Sequence, residues 1–207
     1  MYQPKTFIQE DRARIADLIR AYPLATLVHA SALGPDADHL PLLFDPSVGT
    51  HGVLRGHVAR ANPLWRQADG QSVLAVFHGP QAYVSPRCYP SKQAHGRVVP
   101  TWNYAVVHAH GVLRTVDDAV YVRGVVDALT AQHEAGSPAP WALADAPADY
   151  VAQMLGAIVG IEITLSALTG KWKLSQNRER SDRDGVVTVL DAQGQTEASR
   201  WVADAGT

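Results

Sequence analysis

Tyr83-Val84-Ser85-Pro86-Arg87-Cys88-Tyr89-Pro90-Ser91-Lys92 and, after a short polar insert, Val98-Val99-Pro100-Thr101-Trp102-Asn103-Tyr104-Ala105-Val106-Val107-His108-Ala109-His110 form the stretch around which the chain is organised. Two apolar strands flank a turn punctuated by proline. The turn carries aromatic, hydroxyl, amide and basic side chains together. That mixture suits a pocket for a flat, anionic cofactor: rings against a ring, amides and hydroxyls against its heteroatoms, a lysine or arginine against a phosphate. It suits equally well a hairpin with an aromatic core and a proline-stiffened loop. Residue types alone weigh the two evenly.

The 207 residues allow one large domain or two small ones, and a hydrophobic fraction of 46% supports a real core. Net charge is −2 with a pI near 6.5. Whole-chain charge therefore gives no support to nucleic-acid binding, although a local basic patch stays open. The one cysteine, Cys88, excludes an intrachain disulfide, and no Cys/His spacing suits zinc. No leader pattern opens the chain, and no apolar run reaches the ~20 residues of a membrane span. The expectation is a cytoplasmic protein with no membrane partner.

Reading outward, Tyr2 to Phe7 is extended, and a helix capped by Asp11 carries Ile15, Leu18, Ile19 and Tyr22 on one face. Strands are expected at Ala25–Ser31, His39–Asp45, Gly52–Val58, Ser72–His78, Tyr83–Ser85 and Trp102–Leu113, with a turn at Gly34-Pro35. Pro41 inside the second strand points to an edge or to a ligand meeting the backbone. The third strand delivers the chain to Arg60-Ala61-Asn62-Pro63, where Asn62 and Pro63 mark a helix start. A helix start beside an arginine suits phosphate, so Arg60 reads as a phosphate ligand ahead of a surface ion pair, with His57 just before it. Helices follow at Asp117–Glu134 and Pro147–Val159. Ile161–Leu168 alternates as a half-buried strand, leading to Lys171-Trp172-Lys173-Leu174-Ser175-Gln176-Asn177-Arg178. Ser181 and Asp184 mark a short helix. One domain spans 1–192, and 193–207 reads as a weakly ordered tail with Trp201 docking.

No nucleophile elbow, P-loop, zincin motif or dinucleotide fingerprint is present. Glu162 reads as solvent-facing and Cys88 as an inert thiol. His108 and His110, two apart on a strand, read as half-buried residues ahead of metal ligands. No catalytic or metal residue is assigned, so any chemistry must come from a bound cofactor. Three polar clusters are directed at one: His57–Asn62, Ser85–Tyr104 and Lys171–Arg178.

Several blocks together resemble the PaiB-type family of FMN-binding negative transcriptional regulators. They are Tyr2-x-Pro4-x-x-Phe7, His39-Leu40-Pro41-Leu42, Gly56-His57-Val58-Ala59-Arg60-Ala61-Asn62-Pro63, Tyr83-Val84-Ser85-Pro86, Tyr89-Pro90-Ser91-Lys92, Val99-Pro100-Thr101-Trp102-Asn103-Tyr104 and Lys173-Leu174-Ser175-Gln176-Asn177-Arg178. The resemblance implies a mainly β fold with added helices, a six-stranded antiparallel split β-barrel related to pyridoxamine-phosphate oxidase. It implies FMN as cofactor and a homodimer with flavin at the subunit interface. Carried over by residue, it places the phosphate at Ala59, Arg60, Ala61 and Asn62, with His57 beside them and Lys92 as a second cation. It lays the ring on the backbone of His39, Leu40 and Pro41, near Thr101, Trp102, Asn103 and Tyr104. Lys173, Gln176 and Asn177 are assigned to the partner subunit's edge of the site. Cys88 departs from the tryptophan common in the family just before the Tyr-Pro-Ser-Lys block. Two alternatives stay open: a flavin-dependent oxidoreductase of a small substrate, and a haem protein using His57, His108 or His110.

Overall fold

The computed structural model describes residues 1–205. Eight strands form one antiparallel-rich sheet, in the order β3-β2-β6-β7-β8-β5-β4 with β1 on β8. The strands are β1 (Ile8–Gln9), β2 (Leu24–Ser31), β3 (Gly34–Pro41), β4 (Leu43–Asp45), β5 (Val53–Ala59), β6 (Ser72–Val84), β7 (Thr101–Val116) and β8 (Ile158–Lys173). The helices are α1 (Arg12–Ala21), α2 (Leu64–Gln67), α3 (Ser91–His95), α4 (Ala119–Glu134), α5 (Ala148–Gly156), α6 (Arg180–Ala192) and α7 (Thr196–Asp204). The mainly β class with added helices is as expected; the strand count is eight, not six. Among the described residues, no helix is long and apolar enough to cross a membrane.

The chain resolves into two compact units. The first gathers Met1–Ile15, His78–Val107 and Thr169–Thr207, of which Gly206 and Thr207, the end of the expected tail, lie outside the described residues. Its core holds Val84, Tyr89, Trp172, Leu174, Val186, Leu190 and Val202. The stretch expected to be weakly ordered from Gln193 instead forms α7, because Trp201 stacks on Trp172 at 5.8 Å and buries an apolar stripe that is too short to read as a helix by itself. Ser181 and Asp184 lie inside α6, whose N-cap is Glu179. Gly185 lets that helix pass the backbone of Cys88: a Cβ there would stand 2.1 Å from the Cys88 carbonyl oxygen.

The second unit holds Ala16–Phe77 and His108–Leu168. β2 and β3 form a hairpin paired from Leu24↔Pro41 to Ser31↔Gly34. Its turn is Ala32-Leu33, not Gly34-Pro35, closed by the Ser31 hydroxyl donating to the Gly34 carbonyl at 2.8 Å. Pro35 and Pro41 are tolerated because β3 ends the strand order and needs no second ladder. Leu27, Leu42, Leu54, Phe77, Leu113, Val125, Leu129, Ile161 and Ile163 make the core. β6 runs unbroken through Gly79-Pro80, so the fourth and fifth expected strands are one. Asp11 and Asp118 cap α1 and α4 through their carboxylates, at 2.8 Å to the amides of Ala13 and Tyr121.

Candidate functional site

The second unit holds Arg60, the residue from which a phosphate contact was expected. Four of the five N–H groups of its guanidinium are engaged. The two terminal nitrogens donate to the Asp117 carboxylate at 2.8 and 2.7 Å, one of them also to the Ile158 carbonyl at 3.1 Å, and Nε donates to the Gly156 carbonyl at 2.9 Å. Arg60 ties the end of β5 to the starts of α4 and β8. Asp117 is pulled below the usual carboxylate range by that hydrogen bond. Asn62 is committed as well: its amide donates to Asp38 at 2.7 Å and its oxygen accepts from the Leu64 amide at 2.8 Å, capping α2. In this structure the donors expected there are engaged mainly within the fold.

The other expected residues of this unit are more varied. Ala59 and Ala61 are exposed, Leu40 is buried and Pro41 half-buried. His39 is exposed and meets the Thr26 hydroxyl at 3.2 Å. His57 is half-buried, its Nδ1 has no hydrogen-bond partner, and burial lowers its pKa, favouring the neutral ring. Glu162, on the face opposite buried Ile161 and Ile163, is half-buried and accepts from Arg55 Nε at 2.9 Å, and Arg55 also donates to Asp45 at 3.0 Å. His108 is half-buried and His110 exposed, with ring centroids 6.4 Å apart. A cavity of about 550 Å³ is lined by Arg60, Asp117, Val122, Ala152, Leu155 and Ile158. Its charged lining is the Arg60–Asp117 pair with Asp118 and Arg123.

The first unit looks different. Lys173 on β8 donates to the Thr101 hydroxyl and, at 2.5 Å, to the Trp102 carbonyl. Burial, then Lys171 and Arg178, lower its pKa. Lys171, two residues earlier and on the same side of the strand, is buried; it donates to the Tyr2 carbonyl at 3.0 Å and lies 5.3 Å over the Tyr104 ring. Arg178 lies 4.8 Å over the ring of Tyr89, whose hydroxyl is buried. Among the described residues, none of these three cations forms an ion pair with a carboxylate. Trp102 is 54% exposed and meets Tyr83, 50% exposed, edge to face at 5.9 Å.

Asn103 is buried and exchanges hydrogen bonds with Ser175, at 2.9 Å for its amide donor. Gln176 holds the local backbone, donating to the Trp172 carbonyl at 2.6 Å and accepting from the Leu174 amide at 2.7 Å. These two shape the turn and do not reach outward. Lys92 and Asn177 are exposed. Cys88 is buried and burial pushes its thiol up, consistent with an inert residue. Lys171, Arg178, Tyr89 and Tyr83 were not among the residues assigned individually from sequence. Lys171 was detectable, since period-2 spacing puts it beside Lys173. Nothing local in the sequence pairs Arg178 with Tyr89.

Comparison with solved structures defines the class. The chain superposes on the flavocytochrome Anf3 from Azotobacter vinelandii with a TM-score of 0.60, covering 80% of this chain and 69% of that one at 12% identity. It superposes on the FAD and haem binding protein from Mycobacterium smegmatis at 0.58, covering 80% and 73% at 18% identity. The fold is that of the split-barrel flavoproteins. A sequence profile described as "Putative FMN-binding domain" matches residues 1–167. The chain is 34% identical to an uncharacterized protein of Emericella nidulans, over 99% of this chain and 95% of that protein. It is 31% identical to the protease synthase and sporulation protein PAI 2 of Bacillus subtilis, over 92% and 89%. The chain belongs to the PaiB-type FMN-binding family. The chemistry of the first unit suits an anionic aromatic cofactor: exposed rings at Trp102 and Tyr83 beside cations without a carboxylate partner among the described residues.

Proposed function

We propose that this protein binds FMN through the Trp102–Lys173 face of its first unit and serves a regulatory role in the cytoplasm, as a homodimer. The observation that carries the flavin reading is the cluster of Lys171, Lys173 and Arg178 without a carboxylate partner among the described residues, beside the exposed rings of Trp102 and Tyr83. Cations drawn from water without counter-charge destabilise a fold unless an anion joins them. Bound flavin would supply electron and hydride transfer. Trp102 would offer its ring to the cofactor and Lys173 its ammonium to an anionic group, with Thr101 orienting the lysine.

The regulatory role draws support from the likeness to the sporulation protein PAI 2. Exposed Val120, Tyr150 and Met154 on α4 and α5 support self-association. Light scattering after gel filtration tests the dimer. The flavin reading is tested by the visible spectrum of the protein alone and after FMN is added. Flavin bands that stay with the protein through gel filtration are the expected result. A protein that takes up no FMN refutes the reading, and a Soret band would replace it with the haem alternative. Reduction of bound flavin by a pyridine nucleotide would point to an oxidoreductase instead of a regulator.

A further inference from the structure

We propose that a second copy of this chain docks on the groove between α4 and α5 of the second unit, with the two α4 helices antiparallel about a two-fold axis close to Val120. The proposal rests on the homodimer reading and names the surface that makes the dimer. α4 buries Val122, Val125 and Leu129. Helical spacing then turns Ala119, Val120, Arg123, Gly124 and Asp127 outward, and all five are exposed. Val120 is 81% exposed where a lone surface helix would carry a polar residue. α5 buries only Val151, and its Ala148, Ala152 and Leu155 line the cavity of about 550 Å³ together with Ala119, Val120 and Val122 of α4. An apolar groove with an exposed valine on its rim is a surface that association would cover.

Gly124 lies on the same outward face, one helical turn after Val120. Glycine inside a helix is less stable than alanine, because it loses more backbone freedom. Nothing in this chain requires it: a Cβ at Gly124 would meet no atom within 4 Å. What the missing side chain does allow is a short distance to another helix, since the separation of packed helices is set by the side chains at the contact.

Charge selects a second copy as the occupant. The second unit holds six lysines and arginines against twelve aspartates and glutamates, so two copies of it repel over most of their surface. At the groove the charges cancel, because Arg60 and Arg123 stand there with Asp117 and Asp118. Arg60 and Asp117 are paired with each other. Arg123 and Asp118 remain, one on each side of Val120. Arg123 is held only by Asp127, at 3.5 Å with both side chains about half exposed, a pair worth little. Asp118 accepts from the Tyr121 amide through Oδ1, which leaves Oδ2 for a partner. A two-fold contact must be self-complementary: whatever one copy offers at one position, the other offers too. Antiparallel α4 helices centred near Val120 meet that condition by setting Arg123 of each copy opposite Asp118 of the other.

The test is sedimentation velocity of the full chain over a concentration series. Wild type is expected to be a dimer. Gly124→Leu fills open space within its own chain, so its circular dichroism should match wild type. It should raise the dimer dissociation constant roughly thirtyfold or more, the effect of a central interface residue. Arg123→Asp and Asp118→Lys should each associate weakly alone and form a dimer when mixed, because every new charge then faces its opposite. A folding defect gives no such restoration. A dimer that Gly124→Leu leaves as tight as wild type places the interface elsewhere and overturns the surface alone. Charge variants that associate no better mixed than apart overturn the antiparallel arrangement. A wild type that is monomeric at every concentration refutes the homodimer reading and this surface with it. Uptake of anilinonaphthalene sulfonate by that monomer, lost in Gly124→Leu, would then make a small apolar ligand the occupant of the groove.

Discussion

Arg60 and Arg178 are both arginines set beside aromatic and polar residues at the end of a strand, yet they do opposite work. Arg60 meets a carboxylate and two carbonyls and becomes a staple. Arg178 meets an aromatic ring with Lys173 close by, and it forms no ion pair among the described residues. The contrast extends to the units that hold them. The first unit carries twelve lysines and arginines against eight aspartates and glutamates, a surplus of four positive charges. The second carries six against twelve, a surplus of six negative charges. A whole-chain value of −2 hides this. Arg60 finds its carboxylate in the acidic unit, whereas Lys171, Lys173 and Arg178 form no ion pair among the described residues of the basic one.

The contrast can be broken most violently at Gly185. Gly185→Ala puts a methyl group into the Cys88 carbonyl oxygen, which is backbone and cannot rotate away. A loss of about 3 kcal/mol or more in chemical unfolding is expected, with weaker FMN binding as Tyr89 shifts. Full stability would show that α6 does not seat the basic face. Next, Trp102→Ala should loosen FMN and riboflavin alike, by about tenfold, as loss of a stacking partner predicts. Its exposure of 54% leaves the melting temperature nearly unchanged. A loss confined to FMN would assign Trp102 to the phosphate instead.

Arg60→Ala sharpens the same comparison from the other side. It should lower the melting temperature while the ratio of FMN to riboflavin affinity stays at the wild-type value. A collapsed ratio would return the phosphate to Arg60. The smallest effect is expected at Asp45, whose carboxyl is lowered from 3.8 to about 2 by hydrogen bonds from Ser47 and Arg55. A carboxylate depressed in the folded state contributes stability that is full above its unfolded value and is lost as pH falls through the folded one. The acid unfolding curve between pH 4 and pH 2 should therefore be shallower in Asp45→Asn than in wild type.

Much of the fold was legible because its signals are local. Alternating apolar residues gave the strands, and Asp11 marked a helix start through a contact two residues away. What failed involved partners distant in sequence. α7 is a short helix that exists through Trp172, 29 positions before Trp201. β6 continues through Gly79-Pro80, a pair that reads as a stop when only neighbours are considered. The ion pair that Arg60 makes with Asp117, 57 positions later, is likewise invisible to a local reading. For the site, the aromatic and basic residue types were visible at Trp102 and Lys173, but which cations lacked partners was not.

The amino-acid sequence by itself determined the class and the family, since residue blocks spread from Tyr2 to Arg178 carry both without reference to space. It also determined the presence of rings and cations suited to a flavin. Only the tertiary structure decided which cations are free to bind one. The physical reason is that a charge is spent or available according to what lies within a few ångströms of it, and those neighbours are drawn from segments far apart along the chain.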